Sequence, residues 1–269
     1  MSATQREAVA GLRERLDSHR SDPAVTGLAD ELFAAADLVG SDALLRTALS
    51  DGGQPAEARV GTLRELVGQR LSPLAVDTLA DAVGQRWAKP DELVDAIEDL
   101  GAQAAFMSAE ASDTLSAVED ELFAFSRALS GSTDLQLALS DPATSRQAKA
   151  GLVRTLLEGR SHPITAGLLA HAMSDTRGNR ADAVVEHLMT LAAEQRNRAV
   201  AEVRAAVPLT DEQAQRLQAT LSQRFGRDIR LNVAVDPQVI GGISVRVGTE
   251  VIDGTVATRL EQARRALVG

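Results

Sequence analysis

The sequence predicts a mainly α-helical chain ending in a small α/β module: two tandem six-helix bundles followed by a strand–hairpin–helix domain. Three observations predict it. Apolar residues recur at helical spacing through roughly the first 200 positions. Two runs within that stretch, Asp30–Ala34 and Ala48–Asp51, reappear at Asp120–Ala124 and Ala138–Asp141, both at an offset of 90 (120 − 30 and 138 − 48). From Val200 onward the period shortens to the alternation of half-buried strands.

The first element is a helix over Thr4–His19, on which Val9, Leu12 and Leu16 share one face. Asp22-Pro23 breaks it, and Pro23 suits the first turn of the next helix, whose inner face is Leu28, Leu32, Ala35, Ala36 and Val39. Gly40-Ser41 ends that helix, and Ser41 is expected to cap a short one through Leu49. A fourth helix over Pro55–Arg70 presents Val60, Leu63, Leu66 and Val67. A fifth starts at Ser72-Pro73 with Leu74, Val76, Leu79 and Val83, and Pro90-Asp91 opens a sixth with Leu93, Ile97 and Leu100.

The second copy follows the first. At the same offset Gly61 matches Gly151, Leu66 matches Leu156, Arg70 matches Arg160 and Pro73 matches Pro163. After Trp87 the register slips by one, so that Leu93, Ile97 and Leu100 align with Val184, Leu188 and Leu191. Domains are therefore expected at 1–101, 102–198 and 199–269. In the last, Ala199–Val207 reads as a strand and Thr210 caps a helix facing inward through Ala214, Leu217 and Leu221. Ile229, Leu231, Val233 and Val235 form a second strand. Ile243, Val245 and Val247 then alternate into a hairpin with Val251-Ile252, and a final helix starts at Thr255.

Composition narrows the function. Apolar residues make up 44% and aromatic residues 2%, with no Tyr, one Trp and five Phe, so the cores are built from Ala, Leu and Val. The net charge is −10, against a general nucleic-acid or anionic-membrane surface. The charge is uneven: Val200–Gly269 holds nine Arg against eight acidic residues, leaving −11 on the rest. Without Cys there is no disulfide, thiolate metal site or thiol nucleophile. No apolar run approaches a membrane span, and the N-terminus is too charged for a signal peptide, so a cytosolic chain is expected, reaching a membrane only through a partner.

Few residues point to chemistry. His19, His162, His171 and His187 lack the spacing of a metal site, although His171 and His187 fall in one bundle. Glu119-Asp120-Glu121 and Glu98-Asp99 would need a pocket that splits their pKa values to act as acid and base, and on amphipathic helices they read as solvated faces. Arg196, Arg198 and Arg204 cluster near the domain link, open either to an acidic partner helix or to solvent. The glycines of Val235–Arg259 precede a strand, with no Lys in the stretch, so they read as turn geometry instead of a phosphate loop. No catalytic residue, metal or cofactor is expected. Helical bundles with apolar grooves suit partner helices.

The run VDPQVIGGISVRVGTEVIDGTVATR carries a resemblance. Asp236, Val239, Ile240, Gly241, Gly242, Ile243, Val245, Gly248, Val251, Ile252, Asp253, Gly254, Thr255 and Arg259 resemble the C-terminal signature of the delta subunit of F-type rotary ATP synthases, related to the mitochondrial oligomycin-sensitivity-conferring protein. The structural signature residues are Asp236, Gly241, Gly242, Gly248, Asp253, Gly254 and Thr255. The resemblance implies a non-catalytic peripheral-stalk subunit of the proton-translocating ATP synthase, on the cytoplasmic face of the plasma membrane. It implies partners too: the N-terminal helices of the alpha subunits for the helical domain and the C-terminal helix of subunit b for the C-terminal module. The usual member has one bundle, and this chain has two. The stretch Gly101–Ala111 lacks the Tyr of the family's Arg-x-Tyr-Ala pattern, and Gln5-Arg6-Glu7-Ala8 only echoes it. The second bundle is expected to receive an alpha tail and the first to extend the stalk. A helical adaptor of another complex is the alternative reading, and an enzyme using the Gly-rich hairpin a more distant one.

Overall fold

The computed structural model describes residues 3–198, 200–225, 229–236, 239, 241–247 and 250–253. Among these the chain is mainly helical, with a small four-stranded sheet at its C-terminal end. It divides into two compact units, Met1–Ala193 and Glu194–Gly269. The first carries α1 (Ala3–Ser18), α2 (Leu28–Ser41), α3 (Ala43–Ser50), α4 (Ala56–Val67), α5 (Pro73–Gly84), α6 (Pro90–Ala111), α7 (Leu115–Ser130), α8 (Thr133–Ser140), α9 (Arg146–Leu157) and α10 (Pro163–Ser174), and most of α11 (Ala181–Arg198).

Two hydrophobic clusters occupy this unit. The first joins Val9, Leu12 and Leu16 of α1 to Leu28, Leu32 and Val39 of α2, Leu63 of α4, Leu79 of α5 and Leu93, Ile97 and Leu100 of α6. The second joins Phe106 of α6 to Leu122, Phe125 and Leu129 of α7, Val153 of α9, Leu169 of α10 and Val185 and Leu188 of α11. Helix α6 supplies both. The expected boundary after residue 101 falls inside this continuous helix.

Helix starts repeat as the sequence does. Helices α3 and α8 begin 90 residues apart, as do α4 and α9, and α5 and α10, while α6 and α11 begin 91 apart. The extra residue lies between α10 and α11, where Asp175–Arg180 replaces the five-residue link Gln85–Lys89.

The repeated acidic residue has a mechanical reason. Glu31 accepts hydrogen bonds from the Ser72 backbone N–H at 3.1 Å and the Ser72 hydroxyl at 2.5 Å, at the start of α5. Glu121 accepts from the His162 N–H at 3.0 Å and from the Thr165 hydroxyl, at the start of α10. Each carboxylate thus answers the exposed N–H groups and positive end of a helix.

Local details depart from the sequence reading. Asp42, not Ser41, caps α3, its carboxylate accepting from Leu44 N at 2.9 Å and Leu45 N at 3.1 Å. Helix α2 runs through Ser41, whose hydroxyl bonds back to Leu38 O, so the extended residue between the two helices is Asp42. Pro23 starts a single 3-10 turn, Pro23–Val25, and α2 begins only at Leu28. Helix α4 is shorter than expected, and Leu66 is 37% exposed because Leu63 and Val67 take the inner stripe.

In the second unit, β1 (Val200–Ala205), α12 (Asp211–Phe225) and β2 (Arg230–Val235) form a parallel crossover, followed by the hairpin β3 (Ile243–Val247) and β4 (Glu250–Asp253). Sheet order is β2-β1-β3-β4, with β1 antiparallel to β3. Alternation buries Ala201, Val203, Val245 and Val247 against Leu221 of α12. Val233 and Val235, expected inward, are 37% and 49% exposed, because β2 is an edge strand. Thr210 and Gln213 form the predicted helix start as a reciprocal pair: Thr210 N–H donates to Gln213 Oε1 at 2.9 Å, and Gln213 N–H donates to Thr210 Oγ1 at 3.3 Å. The turn at Gly248 and the final helix from Thr255 lie outside the described residues.

Arg59 ties the first core together. Its buried guanidinium donates to the carbonyls of Leu49, Val83 and Gln85, at the C-terminal ends of α3 and α5. The equivalent position in the second copy is the buried Lys149. Arg59→Met therefore leaves several C-terminal carbonyls unpaired and is expected to cost about 3 kcal/mol, with Arg59→Lys costing less than half as much. Denaturation followed at Trp87, the chain's one Trp and a member of the first core, reads this directly. A loss below about 1 kcal/mol for Arg59→Met would contradict the assignment.

Candidate functional site

Apart from the buried Arg59 and Lys149, a cluster of charged side chains, several about half exposed, meets along one seam between the two cores. Phe33 of α2 stacks on His171 of α10, ring centroids 4.1 Å apart and 21° from parallel. Phe33 also lies across α6 at Gly101, where a Cβ would come within 2.6 Å of its ring. Only glycine admits that approach. Around this stack α2 and α6 present carboxylates, α9 presents Arg146, α10 presents His171, and the α10–α11 link presents Asp175 and Arg177.

Arg177 is the principal bridge. It pairs with Glu98 and, at 2.6 Å, with Asp95, both on α6. Its backbone takes a left-handed φ of 48°, followed by Gly178 at 79°, and Arg177 N–H is held by Asp175 Oδ1 at 2.9 Å. This turn is where the one-residue insertion falls. Arg146 of α9 pairs with Asp175 and approaches Asp37 of α2 at 3.7 Å. His171 lies 3.9 Å from Asp37 and 4.0 Å from Glu98, and His187 of α11 meets Asp99 at 2.7 Å. Two clefts of about 380 and 280 Å³ open onto the seam, and Asp95, Glu98, Asp175 and Arg177 line both.

Burial dominates the electrostatics. Desolvation pushes the Glu98 carboxyl up to about 7, against the pull of Arg177, with Asp95, Asp175 and Asp99 adding to the rise. Burial also raises Asp95, again opposed by Arg177. His171 is pushed down by burial, with Asp37 acting the other way. Glu98 therefore titrates near neutrality, within reach of Arg177 and His171.

The sequence candidates separate under this geometry. Glu98 and Asp99, read as a solvated face, instead line the seam, because α10 and its following link cover that side of α6. Asp120 stays exposed and Glu121 anchors α10. His171 and His187 each face a carboxylate across the seam, and His162 caps α10, its Nδ1 accepting from Ile164 N–H at 3.3 Å. Among the described residues no group of three His, Asp or Glu could hold a metal ion. Arg196 and Arg204 are exposed. Phe33, Asp95 and Arg177 do not stand out as site residues in the sequence. The register slip that places an extra residue beside Arg177 is the available signal.

At the C-terminal module Gly241 and Gly242 both adopt left-handed φ, 69° and 84°, as a turn demands. Asp236 N–H donates to Ala205 O at 2.9 Å, and Gly241 N–H to Val239 O at 2.9 Å. Asp253 lies opposite Ser244 in the hairpin register. Gly248, Gly254 and Thr255 lie outside the described residues.

Helical cores joined by a charged seam, followed by a crossover-and-hairpin sheet, define a helix-rich subunit in which no described helix is long and apolar enough to cross a membrane. The family follows from comparison. The family profile described as ATP synthase delta (OSCP) subunit matches residues 97–267, and the chain belongs to that family. Proteins named ATP synthase subunit delta from Parafrankia sp. (strain EAN1pec) and Streptomyces griseus are similar over the full length. The first is 42% identical, covering 99% of each chain, and the second 40% identical, covering 100% of each. A chain in the Toxoplasma gondii mitochondrial ATP synthase hexamer aligns with TM-score 0.34 and 23% identity, over 62% of this chain and 95% of that one.

The Phe33–Gly101 approach sets the sign of a simple test. A helix-interior Gly→Ala change ordinarily gains up to about 1 kcal/mol. Here Gly101→Ala drives its Cβ into a ring held on its other side by His171, and a loss of about 1–3 kcal/mol is expected. Adding Phe33→Leu should recover part of that loss in a thermal-melt double-mutant cycle. A stabilised Gly101→Ala variant would refute the close approach.

Proposed function

We propose that this chain is the delta subunit of the peripheral stalk of a proton-translocating ATP synthase, holding the catalytic head stationary while the rotor turns. The observation that carries the reading is the full-length similarity, at 42% identity, to a protein named ATP synthase subunit delta. The chain performs no chemistry of its own in this role. Its site is a set of docking faces, and it stands on the cytoplasmic face of the plasma membrane through its complex.

Residues 1–101 and 102–198 act as two tandem six-helix bundles, with α6 serving as the last helix of one and the first of the other. Residues 199–269 form the third domain. The matching helix starts support the duplication, and the family match from residue 97 supports the second copy as the ordinary one. The second bundle receives the N-terminal helix of an alpha subunit. The first lengthens the stalk, and the C-terminal module takes the C-terminal helix of subunit b. Of the signature residues, Asp236, Gly241 and Gly242 shape the turn before β3, and Asp253 ends the hairpin of this module. Affinity comes from buried apolar faces and specificity from charges at the rim.

Calorimetric titration of the full chain with a peptide of the alpha-subunit N-terminus tests the role. Saturable binding is expected, accompanied by a negative heat-capacity change from apolar burial. Absence of binding to both that peptide and a C-terminal peptide of subunit b would overturn it.

A further inference from the structure

Each copy of the repeat turns one face, built from its second and last helices, away from its own core. In the first copy that face belongs to α2 and α6, and the second copy covers it. Phe33 lies across α6 at Gly101 and stacks on His171 of α10, while Asp37 faces Arg146, and Asp95 and Glu98 meet Arg177. In the second copy the same face belongs to α7 and α11, whose inner sides share the second core. Ninety residues on, Phe33 and Asp37 become Phe123 and Arg127. Past the register slip, ninety-one residues on, Asp95, Glu98, Asp99 and Gly101 become Glu186, Met189, Thr190 and Ala192.

These exchanges run opposite to what the end of a repeat array needs. A terminal repeat has no following copy to bury its face and stays soluble by making that face polar. Here Glu98 and Asp99 give way to Met189 and Thr190, and the aromatic ring is kept. Phe123 is 53% exposed, whereas Phe33 is half-buried. Ala192 accounts for the ring's position. A Cβ at Gly101 would come within 2.6 Å of the Phe33 ring, and Ala192 carries such a Cβ, so Phe123 cannot lie down on α11 as Phe33 lies on α6.

We propose that the α7–α11 face is a docking surface for an amphipathic helix of another subunit, laid across Phe123 as α10 lies across Phe33. The differences between the two faces give the chemistry of that helix. Its central stripe is aliphatic, because Met189 replaces the carboxylate that Arg177 meets in the first copy. A carboxylate flanks the stripe, because Arg127 stands where Asp37 faces Arg146 and His171. A cation flanks it toward Glu186, which keeps the negative charge of Asp95, a partner of Arg177. Helix α10 has 12 residues, about 18 Å at 1.5 Å per residue, so a partner segment of similar length spans the face. A second copy of this chain is a poor occupant: its own covering elements bring Arg146 and Arg177, which Arg127 would repel. An exposed aromatic anchor beside an apolar side chain, with charges at the rim, is the composition of a helix-binding surface. This surface goes beyond the stalk role proposed above, whose peptide titration can succeed or fail independently of it.

Photo-crosslinking in the intact complex tests the proposal. The ATP synthase is purified with p-benzoyl-phenylalanine in place of Phe123, irradiated, and the adducts are mapped by mass spectrometry. One predominant adduct is expected, joining position 123 to a helical segment of another subunit that carries apolar residues at helical spacing and an acidic residue within the adjoining turn. The same photoreactive group at Leu137, 63% exposed on α8, should not give that adduct. Arg127 is exposed, and Arg127→Glu should lower the yield about three- to tenfold, with Lys at the partner's acidic position restoring it. The proposal is overturned by the absence of an intersubunit adduct from position 123, or by an adduct confined to this chain or joining two copies of it. An adduct to a segment lacking that stripe, or a yield unchanged by Arg127→Glu, would overturn it equally.

Discussion

Helix α6 is the constraint on which the helical unit depends. It spans 22 residues, Pro90–Ala111, or about 33 Å at 1.5 Å per residue. Its first half buries Leu93, Ile97 and Leu100 in one core, and its second half divides between the two, Ala104 and Met107 entering the first and Ala105, Phe106 and Ala109 the other. Helices on either side could not be separated into independent domains without exposing half of α6. A tandem duplication joined by a flexible linker would transmit little force. Here a shared helix joins the two cores into one compact unit.

That geometry explains why the seam has its present composition. The close approach of Phe33 at Gly101 brings α2 against α6 where the second core begins, and His171 covers the exposed face of the ring. The flanking carboxylates of α6 then face the incoming Arg177, while Arg146 meets Asp37 of α2 and Asp175. At Glu98 burial outweighs the pull of Arg177 and raises the carboxyl. The hydrophobic cores fix the fold. The seam fixes how the copies meet.

Much of this is legible in the sequence, for a physical reason. Amphipathic periodicity reports burial directly, so the inner face of α2 can be read residue for residue, and the duplication emerges from two short runs in one register; α5 buries Ala75, Thr78, Ala80 and Ala82 besides the four residues its periodicity marks. Sequence reading fails where neighbours compete. Asp42 displaces Ser41 as a cap, Leu66 loses its place to Leu63 and Val67, and Val233 is left at a sheet edge that alternation alone cannot reveal. The seam is the least legible part. Glu98 and Arg177 are 79 residues apart, and an acidic pair on an amphipathic helix looks solvated until another element covers it. The hint is indirect: a one-residue slip in an otherwise regular repeat marks a place where the second copy does something the first does not.

The stalk account rests on kinship for identity and on architecture for plausibility: a helical unit built around one shared helix, followed by a small sheet module. The measurement that tests it most directly is a cryo-electron microscopy structure of the intact ATP synthase containing this chain. The account predicts the helical unit at the crown of the catalytic head, with an alpha-subunit N-terminal helix packed on the second bundle and the sheet module seated on subunit b. An alpha tail bound to the first bundle instead, or a helical unit that touches no alpha subunit, would contradict it.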